Sequence, residues 1–95
     1  MDKLQFEWDK EKAQINLEKH KVSFEEGVTV FHDVLVATRP DPDHSEDEQR
    51  YIAIGQSVKG RILVVAYTER QDKTRLISCR RATPRERKAY EKDLF

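Results

Sequence analysis

Six arginines, Arg70, Arg75, Arg80, Arg81, Arg85 and Arg87, fall within 18 consecutive positions of this 95-residue chain. Guanidinium groups stay protonated and offer paired N–H donors, which suits them to gripping phosphate with two hydrogen bonds at once. Glu69, beside Arg70, adds a carboxylate that could take a proton or orient an arginine. A carboxylate among guanidiniums also fits plain structural pairing. Tyr67 and Tyr90 could stack on bases or donate hydrogen bonds, though half-buried tyrosines are equally ordinary at the edge of a core. The same pattern would describe a solvated, salt-bridged surface.

Other chemistries find less support. His20, His32 and His44 are scattered, and no Cys/His spacing suggests zinc. The acidic stretch Asp41, Asp43, His44, Glu46, Asp47 and Glu48 lacks the glycine and ligand spacing of a calcium loop. No nucleophile elbow, phosphate-cradling loop or dinucleotide fingerprint occurs. Cys79 alternates in phase with Ile77, which predicts a buried, inert thiol.

Charge is divided along the chain. The totals are 18 Lys+Arg against 18 Asp+Glu. From Met1 to Val58 there are 7 basic and 13 acidic residues; from Lys59 to Phe95 there are 11 and 5. The basic part can bind phosphates whatever the net charge is. The length predicts one domain over 1–95. The longest strongly apolar run, Ile62 to Tyr67, is too short to span a bilayer. With a single cysteine and a first segment unlike a signal peptide, the expected location is the cytoplasm.

The elements that must position the arginines follow from periodicity and capping. Leu4 to Trp8 alternates as a half-buried strand does. Asp9 can cap a helix reaching about His20, with Ala13, Leu17 and His20 on its inner stripe. Ser23-Phe24-Glu25-Glu26 matches a reciprocal capping box for a second helix to about His32, burying Phe24, Val28 and Phe31. Val34 to Thr38 reads as a strand and Arg39 to Glu48 as a loop. Tyr51–Gly55, Arg61–Glu69 and Thr74–Arg81 read as an antiparallel meander. Strict alternation would put Leu76, Ser78 and Arg80 on one face, with Arg75, Ile77, Cys79 and Arg81 on the other. Thr83-Pro84-Arg85-Glu86 is a capping box with proline at the first helical position, opening a final helix.

The order of these segments resembles the BrnT family. The likeness runs through Phe6-Glu7-Trp8-Asp9, Lys12, Asn16, Lys19-His20, Val22-Ser23-Phe24-Glu25-Glu26, Phe31 and Asp33. It continues in Pro42-Asp43-His44-Ser45, Arg50 to Gly55, Leu63-Val64-Val65 and Thr68-Glu69-Arg70, and closes in Arg75 to Thr83 and Arg85-Glu86-Arg87. Lys21 stands where members often carry Gly, so a turn needing positive φ would be strained there by about 1 kcal/mol. Cys79 stands where Ala is common.

The resemblance implies an α+β, RelE-like fold, with an N-terminal strand and helical hairpin packed on an antiparallel β-sheet and a C-terminal helix. It further implies a ribonuclease toxin of a type II toxin–antitoxin system, needing no metal or other cofactor. A BrnA-type antitoxin would neutralise it, in a 2:2 heterotetramer that binds operator DNA through the antitoxin. Carried onto this chain, catalysis would fall to Glu69, Arg70 and Arg80, and RNA binding to Lys19, Arg81, Arg85 and Tyr90. The rival expectation is a module that grips nucleic acid or a partner without breaking bonds.

Overall fold

The computed structural model describes residues 5–44 and 48–95. Five strands form one sheet in the order β1-β5-β4-β3-β2. The strands are β1 (Gln5–Glu7), β2 (Ala37–Pro40), β3 (Arg50–Gln56), β4 (Ile62–Arg70) and β5 (Lys73–Arg81). The helices are α1 (Lys10–His20), α2 (Phe24–Thr29) and α3 (Pro84–Glu91). β2 to β5 form the expected antiparallel meander. The N-terminal strand departs from expectation: it joins the sheet as an edge, parallel to β5, so the sheet is mixed. The α+β class and C-terminal helix are as expected.

Asp9 caps α1 by accepting from the Glu11 and Lys12 amides at 2.8 and 3.1 Å. The expected inner stripe is rotated, because Leu17 is 43% exposed while Asn16 is buried. The cause lies in β5. β1 pairs only with Lys73 to Arg75, which leaves the outer edge of β5 without a strand partner at Cys79. The Asn16 amide fills in: Oδ1 accepts from the Cys79 amide at 3.0 Å, and Nδ2 donates to the Cys79 and Val22 carbonyls at 2.8 and 2.9 Å. A buried backbone needs such partners more than a helix needs one more apolar contact.

α1 ends on Lys21 at φ +60°, with the Lys21 amide donating to the Leu17 carbonyl at 2.9 Å. The left-handed conformation strains any side chain with a Cβ. Lys21→Gly should therefore stabilise the protein by about 1 kcal/mol in denaturant titration, despite glycine's greater freedom when unfolded.

Ser23 caps α2 through the Glu26 amide at 3.0 Å, but Glu26 does not reciprocate. Its carboxylate is buried and turned to Arg61 and to the Ser57 hydroxyl, which donates at 2.7 Å. Arg61 holds that carboxyl below its ordinary range. A buried charge left at a helix cap would lack this compensation.

The second expected strand begins late. Asp33 accepts from the Leu35 amide at 2.9 Å, turning the chain so that Val34 and Leu35 are exposed and pairing starts only at Ala37. Pro40 is tolerated because it ends an edge strand. The strict alternation expected in β5 also fails. Tyr67 is opposite Leu76 while Ala66 is opposite Ser78, so Ile77 is an extra residue. This bulge puts Leu76 and Cys79 together in the core, where alternation would have separated them. Burial raises the Cys79 thiol to about 12, in keeping with an inert group.

The main core joins Val22, Phe24 and Val30 to Ala53, Leu63, Val65, Tyr67, Leu76 and Cys79. Tyr67 stacks on Tyr51 at 5.5 Å and meets Phe31 edge-on at 5.1 Å. It is a core residue. Ile54 and Val64 alternate to the opposite face and are buried there too. α3 crosses on this second side: Arg80 of β5 bonds Glu86, the Tyr90 hydroxyl donates to Asp33, and the Arg39 guanidinium of β2 lies 4.6 Å over the Phe95 ring. No helix among the described residues is long and apolar enough to cross a membrane.

Candidate nucleic-acid interface

Pairing register sorts the basic residues by face. On β4, Val65 and Tyr67 enter the main core, so Val64, Ala66, Thr68 and Arg70 occupy the other side. Arg50 and Arg75 flank Thr68, Lys73 is opposite Arg70, and Arg80 is opposite Val64. Arg39 is opposite Ile52, itself opposite Ala66. Arg39, Arg50, Arg70, Lys73, Arg75 and Arg80 thus share one face of the sheet. Between them lie half-buried Ile52, Ala66 and Ser78. Arg39 and Arg50 come from outside the C-terminal cluster and were not anticipated. Only the strand register reveals that they belong with it.

Glu48, Glu86 and Glu7 bring carboxylates to these basic side chains. Glu48 accepts from Arg70 Nε and Nη2, both at 2.6 Å. Glu86 accepts from Arg80 Nη1 and Nη2 at 2.8 and 2.9 Å. Glu7 lies 3.4 Å from Arg75 and 3.9 Å from Lys73. Arg70, then Arg75 and Arg50, keep Glu48 ionised below its ordinary range. Arg80 holds Glu86 at about 2. Glu86 also completes the expected capping box, accepting from the Thr83 amide at 2.9 Å while its own amide donates to Thr83 Oγ1 at 3.1 Å. The α3 cap thereby aims Arg80.

The residues expected to form one catalytic group are not brought together. Arg70 and Arg80 share a face but stand six residues of β4 apart, roughly 20 Å at strand rise. Glu69 is opposite Thr74 on the other face, exposed and beyond Tyr67. Adjacency in sequence misled here, because neighbours in a strand point to opposite sides. Arg81, opposite Leu63, is exposed on the side that carries α1 and α2, apart from Arg80 as alternation predicts. Arg85 is exposed in the first turn of α3, and Lys19 is exposed on α1 beside Ile77 and Ser78. Tyr90 is occupied with Asp33, and desolvation first, then Asp33, raise its phenol to about 12.

Asp33 was not anticipated as a structural hub. It accepts from Leu35, from the Gln56 amide at 2.7 Å and from Tyr90, and remains ionised below its ordinary range because these hydrogen bonds together outweigh desolvation. In the acidic loop, His44 Nδ1 lies 3.0 Å from Asp41 Oδ2. Glu46 and Asp47, considered above as cation ligands, lie outside the described residues. Among the described residues no His, Cys, Asp and Glu group is arranged to hold a metal.

A crystal structure of the ribonuclease toxin BrnT of Brucella abortus superposes with a TM-score of 0.67. The match covers 85% of this chain and 99% of that one at 23% identity, a likeness of fold. Among curated protein sequences none matches. The family model described as ribonuclease toxin, BrnT, of type II toxin–antitoxin system matches residues 8–86, from just after the first strand into the last helix. That span includes the whole meander, Asn16, Asp33, Glu48 and the Arg80–Glu86 fork, and the chain belongs to the BrnT family of ribonuclease toxins.

Proposed function

We propose that this chain is a cytoplasmic, metal-independent endoribonuclease that binds RNA across the arginine-bearing face of its sheet and arrests growth by stopping translation. The observation that carries this reading is the gathering of six basic side chains on one face. In such a reaction the ribose 2′-OH attacks phosphorus, its proton leaves to a base, and the 5′-oxygen departs with a proton. The product is a 2′,3′-cyclic phosphate. Arg80, held by Glu86, stabilises the extra charge on the phosphoryl oxygens. Arg70 binds a phosphate further along the strand, with Arg81, Arg85 and Lys19 on RNA that passes the sheet edge. Glu69 can contribute only to RNA that rounds the β4–β5 turn, and Tyr90 contributes by holding α3.

Incubation of the purified protein with RNA in EDTA tests this reading. Cleavage that disappears in Arg80→Ala supports it. Salt-sensitive retention of intact RNA would instead mark a non-catalytic binding module.

The partner we propose is a BrnA-type antitoxin, in a 2:2 assembly that reaches operator DNA through the antitoxin. Its landing place is the end of the molecule organised by Asp33. Val34, Leu35, Val58 and Leu94 are exposed there, on segments tied to Asp33 directly or through Gln56 and Tyr90. Val58 also lines a cleft of about 410 Å³ with Thr29, His32, Asp33, Gln56 and Ser57. Exposed apolar groups gathered this way mark a protein-binding surface. Leu35→Asp should release the co-purified antitoxin while leaving RNA cleavage intact; a complex that survives this change and Val34→Asp would place the antitoxin elsewhere.

A further inference from the structure

The two arginines at opposite ends of the basic face are held by the same kind of contact, yet the carboxylates differ in how they are fixed. Glu86 is part of the α3 cap and partly buried, so it stays where the helix puts it. The Glu48 side chain is 40% exposed and precedes Gln49, whose carbonyl is anchored by the Thr68 hydroxyl at 2.8 Å. Its backbone has a fixed exit point while the carboxylate can swing away. Around it, Arg50 and Arg75 stand one strand to either side of Thr68, and Arg70 lies two residues further along β4. The Cα positions of the three arginines are thus within a strand spacing or two of one another, about 5–10 Å, and all three charges act on the Glu48 carboxylate.

Building on the RNA-binding reading above, we infer that Arg50, Arg70 and Arg75 form a phosphodiester-binding subsite whose Arg70 fork is taken, in the free protein, by the Glu48 carboxylate, while Arg75 rests against Glu7. A carboxylate and a phosphodiester present the same pair of oxygens to a guanidinium fork. RNA therefore exchanges with Glu48 at this subsite. At the Arg80 end it meets an arginine whose carboxylate does not leave. Arg70 is an affinity contact under internal competition; Arg80 is a fixed one.

A 2′-O-methyl RNA oligonucleotide, which lacks the attacking hydroxyl, gives a binding readout free of cleavage. Fluorescence anisotropy should show Glu48→Gln binding it about tenfold more tightly than the wild type, as expected if the fork is closed nine-tenths of the time. Arg70→Ala should erase that gain when combined with Glu48→Gln, a non-additivity that only a shared subsite produces. Glu86→Gln should not tighten binding. Unchanged or weaker binding by Glu48→Gln, with a melting temperature equal to the wild type, overturns the inference. So does an equal gain in the Arg70→Ala background, which would reflect overall charge alone. If none of these proteins binds the oligonucleotide, the RNA-binding reading itself fails.

Discussion

Arg80→Ala should lower RNA cleavage by about 10²–10³ while the protein keeps its fold. The expectation follows from how Arg80 is built into the sheet. It is opposite Val64 on β5, and two bonds of 2.8 and 2.9 Å fix its guanidinium against Glu86. A donor held in place before the reaction loses nothing to reorganisation when charge develops on phosphorus. Arg80→Lys should recover little, since an ammonium keeps the charge but not the two-pronged geometry. α3 should survive either change, because Thr83 still caps it.

Glu86 is depressed to about 2 in the folded protein, so the stabilising fork is fully present above the ordinary carboxylate range and lost as pH falls toward 2. Between pH 5 and 9 the cleavage profile should carry no inflection from Glu86. Wild-type cleavage by Arg80→Ala, with an unchanged melting temperature, would remove Arg80 from the mechanism.

Asn16→Leu should destabilise the protein strongly. Leucine has the same branching as asparagine and is apolar, so hydrophobicity alone would favour it at this buried position. It would nevertheless strip partners from the Cys79 amide, the Cys79 carbonyl and the Val22 carbonyl, all satisfied by Asn16 in the interior. Each buried unsatisfied group costs about 1–3 kcal/mol, so the three together should cost about 3–9 kcal/mol. For a domain of this size that is a fall of about 15 °C or more in melting temperature. Lys12→Ala, exposed on the same helix, should change the stability by less than about 0.5 kcal/mol. If Asn16→Leu melts with Lys12→Ala, the amide is not standing in for a strand.

Much of the fold was legible because its signals are local. Asp9, Ser23 and Thr83 announce helix starts, since a cap needs only a side-chain oxygen within three residues of an orphan amide. The three long strands are marked by β-branched runs between turns. What escaped was decided at a distance. The Ile77 bulge depends on how β5 meets β4, and the parallel pairing of β1 on a chain segment 68 residues away. The buried place of Asn16 depends on where β1 stops, and that of Glu26 on the arrival of Arg61.

The candidate site divides the same way. From the residues alone came a basic C-terminal segment suited to phosphate and the likeness to a toxin family, because residue type and order are properties of the chain itself. Only the tertiary structure decided which arginines share a face of the sheet. Register brought Arg39 and Arg50 beside Arg70, Arg75 and Arg80, and the two-residue period of a strand sent Glu69 and Arg81 to the other side. A side chain's partners across a sheet are set by long-range pairing, and that pairing is written nowhere in its immediate neighbours.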